Sequence, residues 1–64
     1  MRLRLREVRE AKGLSLRELA AKSGVAFGAI NRIELGKTQP RLETLDRLAK
    51  ALGVGVKDLI ENGK

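Results

Sequence analysis

The sequence of 64 residues contains no cysteine, histidine, tryptophan or tyrosine, and its single aromatic residue is Phe27. Without cysteine and histidine, disulfides, thiol chemistry and the usual zinc sites are excluded. No side chain is left whose unperturbed pKa lies near neutrality. Because nothing in the sequence identifies a nucleophile, a metal site or a nucleotide-binding loop, we predict no enzymatic activity and no cofactor, metal or small-molecule ligand.

Long hydrophobic runs are also missing. No apolar stretch approaches the roughly 20 residues of a membrane span, and the N-terminus lacks the apolar segment of about 7–15 residues that marks a signal peptide. We therefore expect a cytoplasmic protein without a membrane partner. A chain this short is expected to form a single domain, residues 1–64, whose stability is marginal or is assisted by a second subunit.

Charge is unbalanced, with 14 lysines and arginines, eight acidic residues and a formal net charge of +6. The basic excess lies mainly in residues 1–12 and 37–53, while residues 54–64 are neutral. A polyanion is the natural partner of such a field, because each neutralised phosphate releases counterions. The charge therefore favours nucleic acid and association with the nucleoid, although a merely soluble basic surface is the simpler alternative.

Residues 16–35 show two short amphipathic helices separated by a glycine. Ser15 and Glu18 have the spacing of a capping box, which marks the start of the first helix. Gly24 can adopt the left-handed conformation that reverses the chain, and apolar residues then recur at helical spacing up to Ile33. Two short helices joined by a turn that contains glycine are typical of a helix-turn-helix, whose second helix enters the DNA major groove.

The same periodicity, with glycine and proline as breakers, predicts helices on both sides of this pair. The complete prediction is an all-α, compact domain of five helices, at about residues 2–12, 16–23, 26–35, 41–52 and 56–61. Met1 and Leu5 are expected to face inward from the first helix and Leu3 to be exposed. Leu42 is expected to begin the buried stripe of the fourth helix, and residues 61–64 are expected to fray.

Short motifs run through residues 3–61: Gly13-Leu14-Ser15, Glu18-Leu19-Ala20, Gly24-Val25, Arg32-Ile33-Glu34, Gly36-Lys37 and Ala51-Leu52-Gly53-Val54. At these spacings the chain resembles the Cro/repressor helix-turn-helix family, also called Xre-type or lambda-repressor-like. The resemblance implies five α-helices, sequence-specific binding of double-stranded DNA, and a homodimer formed through the C-terminal helix. It also implies a structural ion pair, which falls on Arg9 and Glu34.

Two groups of residues are predicted to contact DNA. Base contacts fall on the outward arc of the third helix, at Phe27, Gly28, Asn31 and Arg32. Phosphate contacts fall at the start of the second helix and around the linker before the fourth, at Ser15, Leu16, Arg17, Lys37, Thr38 and Arg41. Arg32 suits guanine O6 and N7, and Asn31 suits adenine N6 and N7.

The exposed side of this motif is more apolar than the family resemblance implies, because Phe27 and Gly28 stand where polar base readers are common. Three interpretations of Phe27 stay open: contact with thymine methyls, a patch with Leu16 and Leu35 for a protein partner or second subunit, or core filling. We therefore predict a DNA-binding transcriptional regulator. The alternative is a protein-interaction module of antitoxin or adaptor type on the same scaffold, which would use the apolar face around Phe27 and Leu35.

Overall fold

The structure is a computed structural model that describes residues 2–61. Over this span the chain forms four α-helices, one 3-10 turn and two short strands. In chain order these elements are β1 (Arg2–Leu3), α1 (Leu5–Ala11), α2 (Leu16–Ser23), α3 (Phe27–Glu34), α4 (Leu42–Leu52), the 3-10 turn (Val56–Leu59) and β2 (Ile60–Glu61). The all-α class and the central helix pair are confirmed. The inward placement of Met1 and the fraying of residues 62–64 are predictions that lie outside the described residues.

The sequence prediction begins the first helix at about residue 2, but α1 begins at Leu5 in the structure. Residues 2 and 3 instead form an antiparallel pair with residues 60 and 61, in which Arg2 is opposite Glu61 and Leu3 is opposite Ile60. The Arg4 N–H extends this pairing by donating to the Leu59 carbonyl at 2.7 Å. Because these backbone groups find partners across the chain, α1 starts only at Leu5.

The prediction of a fifth α-helix at residues 56–61 is also wrong, because these residues form other types of secondary structure. Val56–Leu59 forms a single 3-10 turn, and the Gly55 N–H donates to Asp58 Oδ2 at 2.9 Å where that turn begins. A short isolated α-helix gains few hydrogen bonds for the residues it fixes, so the segment ends as a strand that pairs with β1. The C-terminal helix through which we expected a dimer is therefore absent from residues 56–61.

The core lies where α2 packs against α3 and α4 and where the 3-10 turn covers α4. Its buried members come from every helix and from the turn: Leu5, Leu19, Ile30, Ile33, Leu45, Leu48, Ala49, Leu52 and Leu59. Apolar residues recur at helical spacing in these elements, so each helix buries one stripe. The arrangement fixes α3 on one side of the core and leaves its opposite side exposed.

Two leucines exchange the environments that the sequence predicted for them. Leu3, expected to be exposed, is half-buried against the core because it belongs to β1 rather than to a helix. Leu42, expected to be buried, is 72% exposed as the first residue of α4. The buried stripe of α4 thus begins with Leu45, one turn further along. No helix within residues 2–61 has both the length and the apolar character needed to cross a membrane.

Candidate nucleic-acid interface

The start of α2 is fixed by the predicted capping box. The Glu18 N–H donates to Ser15 Oγ at 3.0 Å, and the Ser15 N–H donates to Glu18 Oε1 at 2.8 Å. The second of these bonds stabilises the ionised carboxylate and lowers the pKa of Glu18. The Ser15 hydroxyl keeps its own hydrogen free to donate, and Arg17 next to the cap is exposed.

A three-residue turn, residues 24–26, joins α2 to α3. Gly24 has a φ of +76°, a left-handed conformation in which a Cβ is strained, and the Val25 N–H donates to Ser23 Oγ at 3.1 Å. Ala26 stands at the N-cap of α3, where it has no side-chain oxygen to accept a backbone N–H. The turn therefore fixes where α2 ends and α3 begins, but the first turn of α3 is only weakly stabilised by local signals.

The predicted base-contacting residues lie on the exposed side of α3. Arg32 is exposed, while Gly28 and Asn31 are half-buried. A Cβ placed on Gly28 would lie 3.5 Å from Arg32 Nη1, so the guanidinium occupies the space next to this glycine. The guanidinium of Arg32, with its N–H donors, therefore lies beside Gly28, the residue of α3 that has no side chain.

Phe27 lies outside the core and against α2. Its side chain is 40% exposed, and the Arg17 guanidinium carbon lies 5.0 Å from the centroid of its ring. The interpretation of Phe27 as core filling is therefore wrong. Sequence reasoning assigned both residues but not their contact, because helical spacing does not give the angle between α2 and α3.

The remaining apolar candidates separate in the structure. Leu16 is half-buried and packs against the core, whereas Leu35 is 57% exposed at the end of α3. The proposed patch of Leu16, Phe27 and Leu35 therefore retains two exposed members. Phe27 and Leu35 are therefore the exposed apolar side chains of this patch that a protein partner would contact.

The predicted phosphate-binding residues after α3 are all exposed. Gly36, with a φ of +74°, ends the helix, and the Lys37 N–H donates to the Arg32 carbonyl at 2.9 Å. This bond ties the linker to α3 and fixes where Lys37 and Thr38 leave the helix. Arg41 stands at the N-cap of α4. An arginine carries only donors, so its side chain does not cap α4 and is available to an anion.

The ion pair implied by the family resemblance joins α1 to the end of α3. Arg9 Nε lies 2.7 Å from Glu34 Oε2 and Arg9 Nη2 lies 3.1 Å from Glu34 Oε1, while Arg9 Nη1 donates to the Leu14 carbonyl at 2.8 Å. The two side chains are only 10% and 5% exposed. The hydrogen bonds to Glu34 raise the pKa of Arg9 further above its ordinary value. This pair holds α3 in position and faces away from solvent.

One basic residue near the motif was not assigned from sequence. Arg47 of α4 forms an exposed ion pair with Glu43 at 3.7 Å, and its Nη1 lies 4.0 Å from where a Cβ on Gly24 would be. Its guanidinium therefore lies next to the turn between α2 and α3. No local pattern could have shown this, because the approach depends on the packing of α4 against α2.

An open cleft of about 570 Å³ lies between α1 and the end of α3. Its walls include charged residues of α1, among them Arg6, Glu7 and Glu10, together with Leu35 and Thr38. Small-molecule sites are mainly apolar with a few convergent polar groups, and this cleft has a different character. Within residues 2–61, no group of three acidic side chains is placed to hold a metal ion.

Two helices joined by a left-handed glycine, with the second exposed along one side and flanked by basic residues, define a helix-turn-helix protein. Comparison with known proteins agrees, since the family pattern described as helix-turn-helix matches residues 5–59. The chain belongs to this helix-turn-helix family, of the Cro/repressor type that its sequence motifs resemble.

Several relatives are named as transcriptional regulators. The chain is 41% identical over 58 residues to the HTH-type transcriptional regulator DdrOP3 of Deinococcus deserti, covering 91% of this chain and 45% of that protein. It is 40% identical over 55 residues to the regulator PuuR of Escherichia coli, covering 86% of this chain and 30% of that protein. It is 37% identical over 59 residues to the regulator SinR of Bacillus subtilis, covering 91% of this chain and 53% of that protein. The chain thus spans about half or less of these relatives.

A solved structure of similar size is also close in fold. The restriction-modification controller protein C.AhdI from Aeromonas hydrophila superimposes with a TM-score of 0.86 and is 38% identical in sequence. The match covers 89% of this chain and 86% of that protein. The similarity therefore extends over nearly the whole of both chains.

Proposed function

We propose that this chain is a DNA-binding transcriptional regulator that inserts α3 into the major groove and has no catalytic activity. The observation that carries this proposal is the exposed side of α3, where Arg32 lies along Gly28 and exposed basic residues stand before and after the helix. Relatives that share the motif at 37–41% identity are named as transcriptional regulators, which supports it. DNA as the partner would place the protein with the nucleoid, in the cytoplasm.

The contacts divide into those that position the protein and those that read sequence. We assign phosphate contacts to the Ser15 hydroxyl, the Leu16 amide and the side chains of Arg17, Lys37, Thr38 and Arg41. Base contacts belong to α3: Arg32 suits the O6 and N7 of guanine, and Asn31 suits adenine. Phe27 and Gly28 complete the surface that faces the base edges.

A homodimer is part of this proposal, because two copies related by a two-fold axis would read half-sites about 34 Å apart. The C-terminal segment remains the proposed dimer surface, although it consists of a 3-10 turn and a strand rather than a helix. Sedimentation of the free protein and of its complex with duplex measures the stoichiometry. A single copy bound to a selected site without two-fold symmetry would contradict the dimer.

Binding to a labelled duplex at two salt concentrations tests the phosphate assignments. Lys37→Gln and Arg41→Gln should weaken binding to all sequences and reduce the slope of log affinity against log salt by about one each. Lys50→Gln is the matched control, because this exposed lysine near the end of α4 pairs with Asp46 and lies outside both the proposed DNA contacts and the proposed dimer surface. Undetectable binding by the wild-type protein even at low salt would overturn the proposed function.

Selection of bound sequences from random duplex tests base reading. A palindromic site should be enriched, and Arg32→Ala should lower the preference for that site over random DNA while leaving most nonspecific affinity. The expected loss is about 1–3 kcal/mol for one bidentate contact with guanine. Equal loss on both kinds of DNA would make Arg32 a phosphate contact instead.

The protein-interaction alternative is supported by the exposure of two apolar side chains of the motif, Phe27 at 40% and Leu35 at 57%. A module of this kind would show little salt-dependent DNA binding and would lose association with its partner in Leu35→Glu. If the wild-type protein captures no partner and Leu35→Glu leaves the oligomeric state unchanged, this alternative is excluded.

A further inference from the structure

The contact between Arg17 and Phe27 links the first turns of the two helices of the motif. Arg17 is the second residue of α2 and Phe27 is the first residue of α3. Their separation of 5.0 Å, from the guanidinium carbon to the ring centroid, is within the range of a cation–π interaction. The only aromatic ring of the chain thus lies next to a guanidinium from the other helix.

This contact matters because local signals do little to fix the start of α3. Ala26 supplies no side-chain cap, and Gly28 has a low helix propensity within the first turn. The approach of the Arg17 guanidinium to the Phe27 ring thus adds a tertiary contact where the local signals are weak.

Phe27 has an exposed apolar surface at the N-terminal end of α3, the helix that would enter the major groove. The side chain is 40% exposed with Arg17 in place, and the next residue, Gly28, has no side chain to keep the duplex at a distance. In the major groove, the apolar group on a base edge is the 5-methyl of thymine. A ring facing the amino group of cytosine or adenine would instead desolvate a donor without pairing it.

We propose that Arg17 and Phe27 form one recognition unit in which the ring contacts a thymine methyl and the guanidinium holds the ring in place. This inference rests on the proposed DNA-binding function and deepens it. A guanidinium that stacks on a ring with its flat face keeps its N–H donors at the edge, where they can reach a phosphate. Arg17 therefore couples one backbone contact to the reading of one base.

Replacing thymine by deoxyuridine removes only the methyl group and so isolates this contact. In the duplex selected by the wild-type protein, each thymine is replaced in turn and the dissociation constant is measured. One position per half-site should show weaker binding by about fourfold, the value of one buried methyl group. Phe27→Ala should bind the thymine and uracil duplexes equally.

Arg17 requires a control for its charge. Arg17→Gln should weaken binding and also bring the thymine-to-uracil ratio toward one, whereas Lys22→Gln, an equal charge change on the same helix, should leave the ratio unchanged. If Arg17→Gln weakens both duplexes equally and keeps the ratio, Arg17 is only a phosphate contact and the unit does not exist. Circular dichroism of each variant verifies the fold.

A second background keeps the test valid if Phe27→Ala does not fold. Phe27→Leu retains an apolar side chain but has no ring for the guanidinium to stack on, so Arg17→Gln should no longer change the ratio in this background. A ratio of one for the wild-type protein at every thymine, or a selected site without thymine, would overturn the inference while the DNA-binding function stands. Failure of the wild-type protein to bind any duplex would overturn the function itself.

Discussion

A guanidinium and a carboxylate, both nearly removed from solvent, join α1 to the end of α3. Arg9→Ala would leave the Glu34 carboxylate, 5% exposed, without its bidentate partner and would free the Leu14 carbonyl. We expect the free energy of unfolding to fall by about 3–5 kcal/mol, the cost of leaving one charge of a buried pair unpaired. Urea denaturation followed by circular dichroism measures it.

Arg6→Ala is the matched control for this change. Arg6 lies on the same helix and pairs with Glu10 at 3.2 Å, but both side chains are largely exposed. Exposed pairs of this kind contribute about 0–1 kcal/mol. If the two variants unfold at the same urea concentration, Arg9 does not hold the fold together as described.

Two leucine substitutions test which of Leu3 and Leu42 belongs to the core. Leu3→Ala removes a half-buried side chain that packs against the core, and we expect a loss of about 1–2 kcal/mol in the free energy of unfolding. Leu42→Ala removes a side chain that is 72% exposed, and its effect should stay within about 0.5 kcal/mol. Thermal unfolding of both variants measures the difference. A larger loss of unfolding free energy for Leu42→Ala than for Leu3→Ala would contradict the structure and agree with the sequence prediction.

At the scale of elements, the two glycines of the helix-turn-helix should respond oppositely to alanine. Gly24→Ala places a Cβ at a φ of +76° and should cost about 1–2 kcal/mol through backbone strain, since no atom approaches closer than 4.0 Å. Gly28→Ala adds a helix-favouring residue within α3, 3.5 Å from Arg32, and should stabilise the fold by up to about 1 kcal/mol. Melting temperatures of the two variants decide the signs, and equal signs would contradict this account.

The elements differ in how well sequence predicts them. α2 was placed correctly because its start and stop signals, the Ser15–Glu18 capping box and Gly24, act within a few residues. The ends of the chain were not, because pairing between residues 2–3 and 60–61 depends on partners more than fifty positions apart. A local pattern contains no information about such a partner, so the sequence predicts a helix at each end of the chain.

At the scale of the whole molecule, the single-domain prediction has a direct test. One core formed by α1 to α4 and the 3-10 turn should unfold in one cooperative transition. A specific duplex, present at 100 times its dissociation constant, should raise the free energy of unfolding by about 2.7 kcal/mol. Calorimetry with and without duplex measures both quantities. Two separate transitions would show that the elements do not form one cooperative unit.

In the candidate site, as in the fold, some features are predictable from the sequence and others are not. Arg32, Lys37 and Arg41 were assigned from helical spacing and family resemblance, and the structure leaves all three exposed. The approach of Arg17 to the Phe27 ring is not predicted by the sequence, since helical spacing says only that each side chain points outward from its own helix. Whether two outward side chains meet depends on the angle between their helices.

The sequence by itself determined the class of fold, the position of the helix-turn-helix and the family, because caps, glycine turns and apolar stripes are local signals. Only the tertiary structure decided that Leu3 is packed and Leu42 exposed, that residues 2–3 and 60–61 pair as strands, and that the Arg17 guanidinium lies over the Phe27 ring. Each of these depends on how separate elements approach one another. That approach is set by the packing of the whole core, which no short stretch of residues specifies.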